Sequence, residues 1–231
     1  MIKIAGLQKM TLIDYPGKIA ASVFLAGCNF RCGYCHNPEL IEIKKNVNYI
    51  SEKDFFDFLK KRKGILEGIC ISGGEPLIYS DLADYIKKIK KLDYLIKLDT
   101  NGSNFQALKN LLEAGLLDFI AMDIKSSLDK YDLVTGVKVD LESIKASIDL
   151  IMSSGIDYEL RTTVLPKYHD FEEIEKIAKM IKGAKIYYLQ KFQNHKTYQK
   201  EFLKEKRFTD QQLEEFRAIA LKYLQNCKIR N

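Results

Sequence analysis

The chain has 231 residues, 46% of them hydrophobic, and carries 37 Lys and Arg against 31 Asp and Glu, a formal net charge of +6. That length and apolar content suffice for one substantial core and exclude a disordered chain, so a single domain over residues 1–231 is expected. The basic residues are spread along helix-like segments such as "FFDFLKKRKG" and "LADYIKKIKK", which favours a solvated lysine-rich surface over nucleic-acid binding, and no run approaches the ~18 apolar residues of a membrane span.

In chain order, short apolar runs alternate with stretches of helical period, the pattern of repeated βα units around a parallel sheet. The N-terminal "MIKIAGLQKM" has no apolar signal core, so a cytoplasmic protein is expected. The first strand is "IAASVFLAG" (19–27), followed by a cysteine-bearing loop and the helix "SEKDFFDFLKKRKG", capped by Ser51 and stopped at Gly64. "GICIS" (68–72) is the second strand and leads to a helix capped near Ser80. "YLIKLD" (94–99) is the third, followed by helical "NFQALKNLLEAG"; "DFIAMDI" (118–124) is the fourth, its helix beginning after Asp140. "YELRTTVL" (158–165) precedes the helix "FEEIEKIAKMI", and "KIYYLQ" (185–190) is the sixth strand. After a polar, irregular stretch Thr209 caps a last helix, "DQQLEEFRAIALKYL". Six units fall short of the eight of a closed barrel, so the expected fold is α/β, a partial (βα)6 open barrel.

On this map the polar residues collect at C-terminal strand ends. Cys28, Cys32 and Cys35 follow the first strand, Gly73, Gly74 and Glu75 the second; Asp99 and Thr100 end the third, Asp123 and Lys125 the fourth; Arg161 and Thr163 lie in the fifth and Gln190 ends the sixth. That edge of a parallel sheet binds ligands because loops and helix N-termini converge there. Taken alone, Asp99 reads as an ordinary helix cap. Consecutive strands each delivering polar groups to one rim make a binding site the better reading of the set.

Three of the five cysteines fall in "GCNFRCGYCHNPEL" at a C-x3-C-x2-C spacing, which argues for metal binding in a reducing compartment rather than a disulfide framework. Thiolates select iron–sulfur clusters, zinc or copper(I), and three ligands leave one metal position open for chemistry unless a residue such as His36 completes a zinc site. Cys70, inside "GICIS", reads as a small buried hydrophobe, and Cys227 as a bystander in a polar C-terminal tail.

The cysteine spacing, with Tyr34 before the third cysteine and "SGGEPL" at 72–77, resembles the radical S-adenosylmethionine (SAM) superfamily. "YCHNPEL" (34–40), "LDTNG" (98–102) and "MDIKSSLDKYDLVTG" (122–136) are similar, in the same order, to segments of glycyl radical enzyme activating enzymes. The opening through residue 40 looks most like the compact activating proteins of anaerobic ribonucleoside-triphosphate reductase.

The resemblance implies an open barrel of the radical SAM type with a [4Fe–4S] cluster on Cys28, Cys32 and Cys35. It implies that S-adenosylmethionine, chelated at the open iron, is reductively cleaved to a 5′-deoxyadenosyl radical that takes hydrogen from a glycine of a partner, anaerobic ribonucleotide reductase before any other. Tyr34, Gly73, Gly74, Glu75 and Arg161 are then cofactor contacts, with Asp99 and Lys125 at the methionine end. Gly73 and Gly74, lacking Cβ, admit close backbone approach to the methionine amino group, and Glu75 offers an acceptor. Asp99, Thr100, the Ala121 carbonyl and Asp123 match a K⁺ or Na⁺ site. Cys70 and Cys227 are too few for a second cluster, so the electron is expected from a separate flavodoxin or ferredoxin. No nucleic-acid or membrane partner is expected. The alternatives are a small-molecule radical enzyme of the carboxy-deazaguanine synthase type, a radical enzyme acting on another protein or peptide, the activase of a different glycyl radical enzyme, and a non-catalytic electron-transfer or zinc-binding module, which leaves the strand-end residues unexplained.

Overall fold

The computed structural model describes residues 1–230. Its elements are β1 (Ile4–Thr11), β2 (Ala20–Leu25), α1 (Glu52–Lys61), β3 (Gly68–Gly73), α2 (Leu82–Lys90), β4 (Leu95–Thr100), α3 (Phe105–Glu113), β5 (Phe119–Asp123), α4 (Tyr131–Thr135), α5 (Leu141–Ser153), β6 (Asp157–Val164), α6 (Phe171–Met180), β7 (Tyr187–Lys191), α7 (Asp210–Ala220) and β8 (Cys227–Arg230). The strands form an eight-stranded sheet in the order β1-β2-β3-β4-β5-β6-β7-β8. β1 runs antiparallel to β2, and the β2/β3, β3/β4, β6/β7 and β7/β8 ladders are parallel.

The six expected strands are all present, and the sheet has two more, one at each edge. β1 escapes a search for βα units because it belongs to a hairpin, closed by a turn at Pro16–Gly17 in which Lys18 N donates to Tyr15 O at 3.1 Å. β8 is four residues long and carries one large apolar side chain, Ile229, too little to register as a strand. Its first residue corrects the reading of Cys227 as part of a polar tail. Cys227 is buried, pairs in register with Tyr187, and burial pushes its thiol up to about 12.

The chain divides into two compact units. The first holds Met1–Asn29, Glu39–Thr100 and Asn104–Ile120; the second holds Phe30–Pro38, Asn101–Ser103 and the chain from Ala121 onward. In the first unit, β2 and β3 are apolar in near-continuous runs because a parallel strand is covered on both faces. Phe55 and Leu59 of α1 and Tyr85, Ile86 and Ile89 of α2 are buried, with Phe55 stacked on Tyr85 at 5.8 Å between centroids. Each such side chain contributes about 1.5–3 kcal/mol on leaving water. Ser51 caps α1 by accepting from Asp54 N at 3.1 Å, and Tyr94 Oη donates to Leu59 O at 2.7 Å, fixing the helix at both ends.

In the second unit, Asp140 caps α5 through the backbone N–H groups of Glu142 and Ser143, Asp170 caps α6 through that of Glu173, and Thr209 forms a capping box with Gln212 on α7. Phe171 and Phe208 meet Phe216 edge-on at 5.0 and 4.8 Å, anchoring α7. α4, only five residues long, was not expected; one helical turn has too few positions to show a period.

Candidate functional site

The residues marked out by sequence fall in both units: Cys28, Gly73, Gly74, Glu75, Asp99 and Thr100 in the first, and Cys32, Tyr34, Cys35, Ala121, Asp123, Lys125 and Arg161 in the second. In the first unit the two ends of the cysteine loop are fastened side by side. Gly27 N donates to Leu40 O at 2.7 Å and Cys28 N to Ile41 O at 2.9 Å. The turn after β3 locks onto the same place, with Gly74 N donating to Leu25 O and Glu75 N to Gly27 O, each at 2.8 Å. This close approach explains both glycines. A Cβ on Gly74 would lie 2.0 Å from the Gly27 carbonyl oxygen, and one on Gly73, whose φ is +117°, 2.3 Å from Leu25 N. Their missing side chains are therefore required by the backbone around Cys28, a reason the sequence alone did not offer.

Glu75 is buried and works through Oε1, which accepts from Thr100 Oγ1 at 2.7 Å and from Leu77 N at 3.0 Å. It thus couples the turn after β3 to the end of β4. Asp99 accepts from Ser72 Oγ at 3.0 Å through Oδ2 and forms an ion pair with the buried Lys97 through Oδ1. Lys97 was not singled out by sequence. The signal was present in "LIKLD": a lysine two residues before an aspartate on a strand shares its face.

In the second unit the cysteine loop rests on an aromatic bed. Tyr34 is buried, with ring centroids 6.1, 6.4 and 6.2 Å from Tyr168, Phe192 and Phe202, and burial pushes its hydroxyl pKa well up. Arg31 N donates to Thr135 O at 2.8 Å, Gln199 N to Gly33 O at 2.8 Å, and Cys35 N to Cys32 O at 3.0 Å. Gly136, which ends α4 at φ +71°, lets the loop come close: a Cβ there would sit 2.7 Å from Arg31 O. His36 stacks on Phe192 at 5.4 Å and on His195 at 5.9 Å.

On the strand ends of this unit Asp123 receives Arg161 Nε at 2.7 Å and Lys125 Nζ at 3.1 Å. Burial pushes the Asp123 carboxyl up, but the charges of Arg161 and Lys125 more than reverse this and hold it well below the usual carboxylate range. Burial likewise works against the Lys125 ammonium, and Asp123 overrides it, so the lysine stays charged. Arg161 also approaches the buried Glu159 at 3.4 Å, and Glu159 takes Arg230 of β8 at 3.3 and 3.0 Å. Neither Glu159 nor Arg230 was foreseen; both lie in stretches that read only as strand or tail.

The donor chemistry fits an iron–sulfur cluster. Of the three loop cysteines, Cys28 and Cys35 are partly exposed and Cys32 is buried. Tyr34 Oη and His36 Nε2, flanking Cys35 in sequence, are buried with no hydrogen-bond partner, the kind of remainder that a bound group satisfies. The fit of an added monovalent cation at Asp99 is poor, because the Lys97 ammonium already lies on that carboxylate. Among the described residues no helix is long and apolar enough to cross a membrane.

A sequence profile of the radical SAM superfamily matches residues 22–181. A protein of Methanocaldococcus jannaschii provisionally named a glycyl-radical enzyme activating enzyme is 35% identical over 98% of this chain and 95% of its own length. The pyruvate formate-lyase-activating enzyme of Clostridium pasteurianum is 30% identical over 80% of this chain and 78% of its own length. A GTP 3′,8-cyclase of Campylobacter jejuni is 34% identical over 75% of this chain and 55% of its own length.

Proposed function

The chain belongs to the radical SAM superfamily, and from this premise we propose that it is an activase that installs a glycyl radical on a partner enzyme, anaerobic ribonucleoside-triphosphate reductase being the first candidate. The observation that carries the reading is similarity along nearly the whole of both chains to a protein provisionally named an activating enzyme, and over 78% of the pyruvate formate-lyase-activating enzyme, against 55% of the cyclase. Cys28, Cys32 and Cys35 would hold a [4Fe–4S] cluster, which, once reduced by an external donor, would supply the electron for cleavage of S-adenosylmethionine.

The chain's own residues bind and orient. Gly27, Leu40, Gly74 and Glu75 fix the backbone of the cysteine loop at Cys28 through the hydrogen bonds described above. Tyr34 holds the middle of the loop on its aromatic bed. Lys125 and Arg161, each kept in place by Asp123, are cations suited to the carboxylate of the methionine moiety.

The test is to mix the reduced, reconstituted protein with S-adenosylmethionine and an anaerobic ribonucleotide reductase and to record the electron paramagnetic resonance spectrum. A stable glycyl-radical doublet, with deoxyadenosine formed in proportion, is expected. A doublet with another glycyl radical enzyme instead moves the partner assignment. No doublet with any such enzyme, together with turnover of a purine-like or pterin-like molecule, defeats the activase reading in favour of a small-molecule enzyme, the class to which the similarity to GTP 3′,8-cyclase lends support.

A further inference from the structure

We propose that the Lys97 ammonium is a built-in substitute for a monovalent cation at Asp99, so that this chain organises that carboxylate without recruiting potassium or sodium. The proposal rests on the reading of Asp99 as a cofactor-site residue. Lys97 sits in β4 two residues before Asp99, so both side chains leave the same face of the strand. It is only 1% exposed, and its Nζ forms the ion pair with Asp99 Oδ1. The same Nζ lies 3.8 Å from Cys70 Sγ and 5.8 Å from the centre of the Phe119 ring, both weaker partners for a cation than the carboxylate.

A charged lysine buried within a strand is costly to fold unless its charge is used, since a leucine would pack there without desolvation. Here it is used on Asp99. The other carboxylate oxygen accepts from Ser72 Oγ, and the neighbouring Thr100 hydroxyl is turned to donate to Glu75. A potassium or sodium ion brought to Asp99 would meet the ammonium as a like charge at close range in a poorly screened interior, which opposes its binding. The Asp123 carboxylate, described within its own unit, is likewise met by side-chain cations, Arg161 and Lys125.

The experiment uses the reconstituted full chain and two readouts. The first is line broadening of ²³Na in the nuclear magnetic resonance spectrum as protein is added, which reports sodium binding whether or not S-adenosylmethionine binds. The second is the dissociation constant of S-adenosylmethionine by titration calorimetry in potassium chloride and in choline chloride of equal ionic strength. Wild-type protein is expected to give no saturable ²³Na broadening and affinities that agree within about twofold between the salts. Lys97→Met, which removes the charge at nearly the same volume, is expected to gain saturable broadening displaced by potassium and an affinity at least about tenfold weaker in choline. Saturable sodium binding by the wild-type protein, or a tenfold loss in choline, overturns the proposal. A folded Lys97→Met that binds no sodium overturns it too. If Lys97→Met does not fold, the wild-type measurements decide alone. Failure of S-adenosylmethionine to bind in either salt counts against the activase reading, while the sodium result still judges the lysine.

Discussion

Asp123 holds two cations on one partly exposed carboxylate, and the surplus charge is what makes this residue a positioning device rather than a simple ion pair. Removing either partner leaves the other in place, so Lys125→Met and Arg161→Met are each expected to retain cluster iron while weakening S-adenosylmethionine binding by about 10- to 100-fold, the worth of one charge-assisted contact. Iron analysis beside calorimetric titration checks this; unchanged affinity in both variants would return these residues to a purely structural role. Glu159 tests the same logic one step further out. Its carboxylate is buried, and Arg230 meets it with two nitrogens while lying 4.0 Å over the Tyr188 ring. Arg230 is about a third exposed, so screening trims the penalty of a broken buried pair, and Arg230→Met is expected to cost about 1–2 kcal/mol in urea denaturation, with Arg230→Lys recovering part.

Elements were legible in the sequence where their chemistry is local. Ser51, Asp140 and Thr209 announced their helices because a capping side chain acts within three residues of itself, and the parallel strands stood out as short apolar runs. What stayed hidden depended on partners far along the chain. β1 is half solvent-facing and needs β2 to be a strand at all, Lys97 gains its meaning only from its burial, and Arg230 only from a glutamate 71 residues earlier. The start of α6 gives a prediction of the same non-local kind. Burial pushes the Glu173 carboxyl up, but donation from Ser127 N at 2.6 Å and Ser126 Oγ at 2.7 Å, with Lys130 Nζ at 3.2 Å, holds it below its ordinary value. His169 is kept neutral by burial, accepting from Leu165 N at 3.3 Å and donating to Lys125 O at 3.1 Å. For both groups the unfolded chain takes up its proton first as pH falls, so each contributes stability that declines on acidification. Cluster-free protein should therefore lose stability first below about pH 6.5, through His169, and again below about pH 4.3, through Glu173. Urea midpoints against pH check this, with His169→Gln expected to flatten the upper step and Glu173→Gln the lower; unaltered profiles would remove both groups from the account.

For the whole molecule, the three loop cysteines should make folding stability depend on metal, since a ligand that binds only the native chain stabilises it by mass action. Anaerobic reconstitution is expected to give about four iron and four sulfide per chain and to raise Tm. Cys28→Ser, Cys32→Ser and Cys35→Ser should each abolish both effects. Cys70→Ala and Cys227→Ala should keep the iron, though each removes a buried thiol and should lower Tm by itself. Stoichiometric zinc without visible charge-transfer absorption would end this account. The crowding of Gly73 and Gly74 against Leu25 and Gly27 bears on how such chains diverge. Because the backbone demands these glycines whether or not a cofactor is present, a descendant that abandoned the chemistry would still have to keep them, while its cysteines and Lys125 drifted freely. In a collection of related sequences the glycine pair therefore marks ancestry of fold, and only the thiols and the lysine mark a surviving trade.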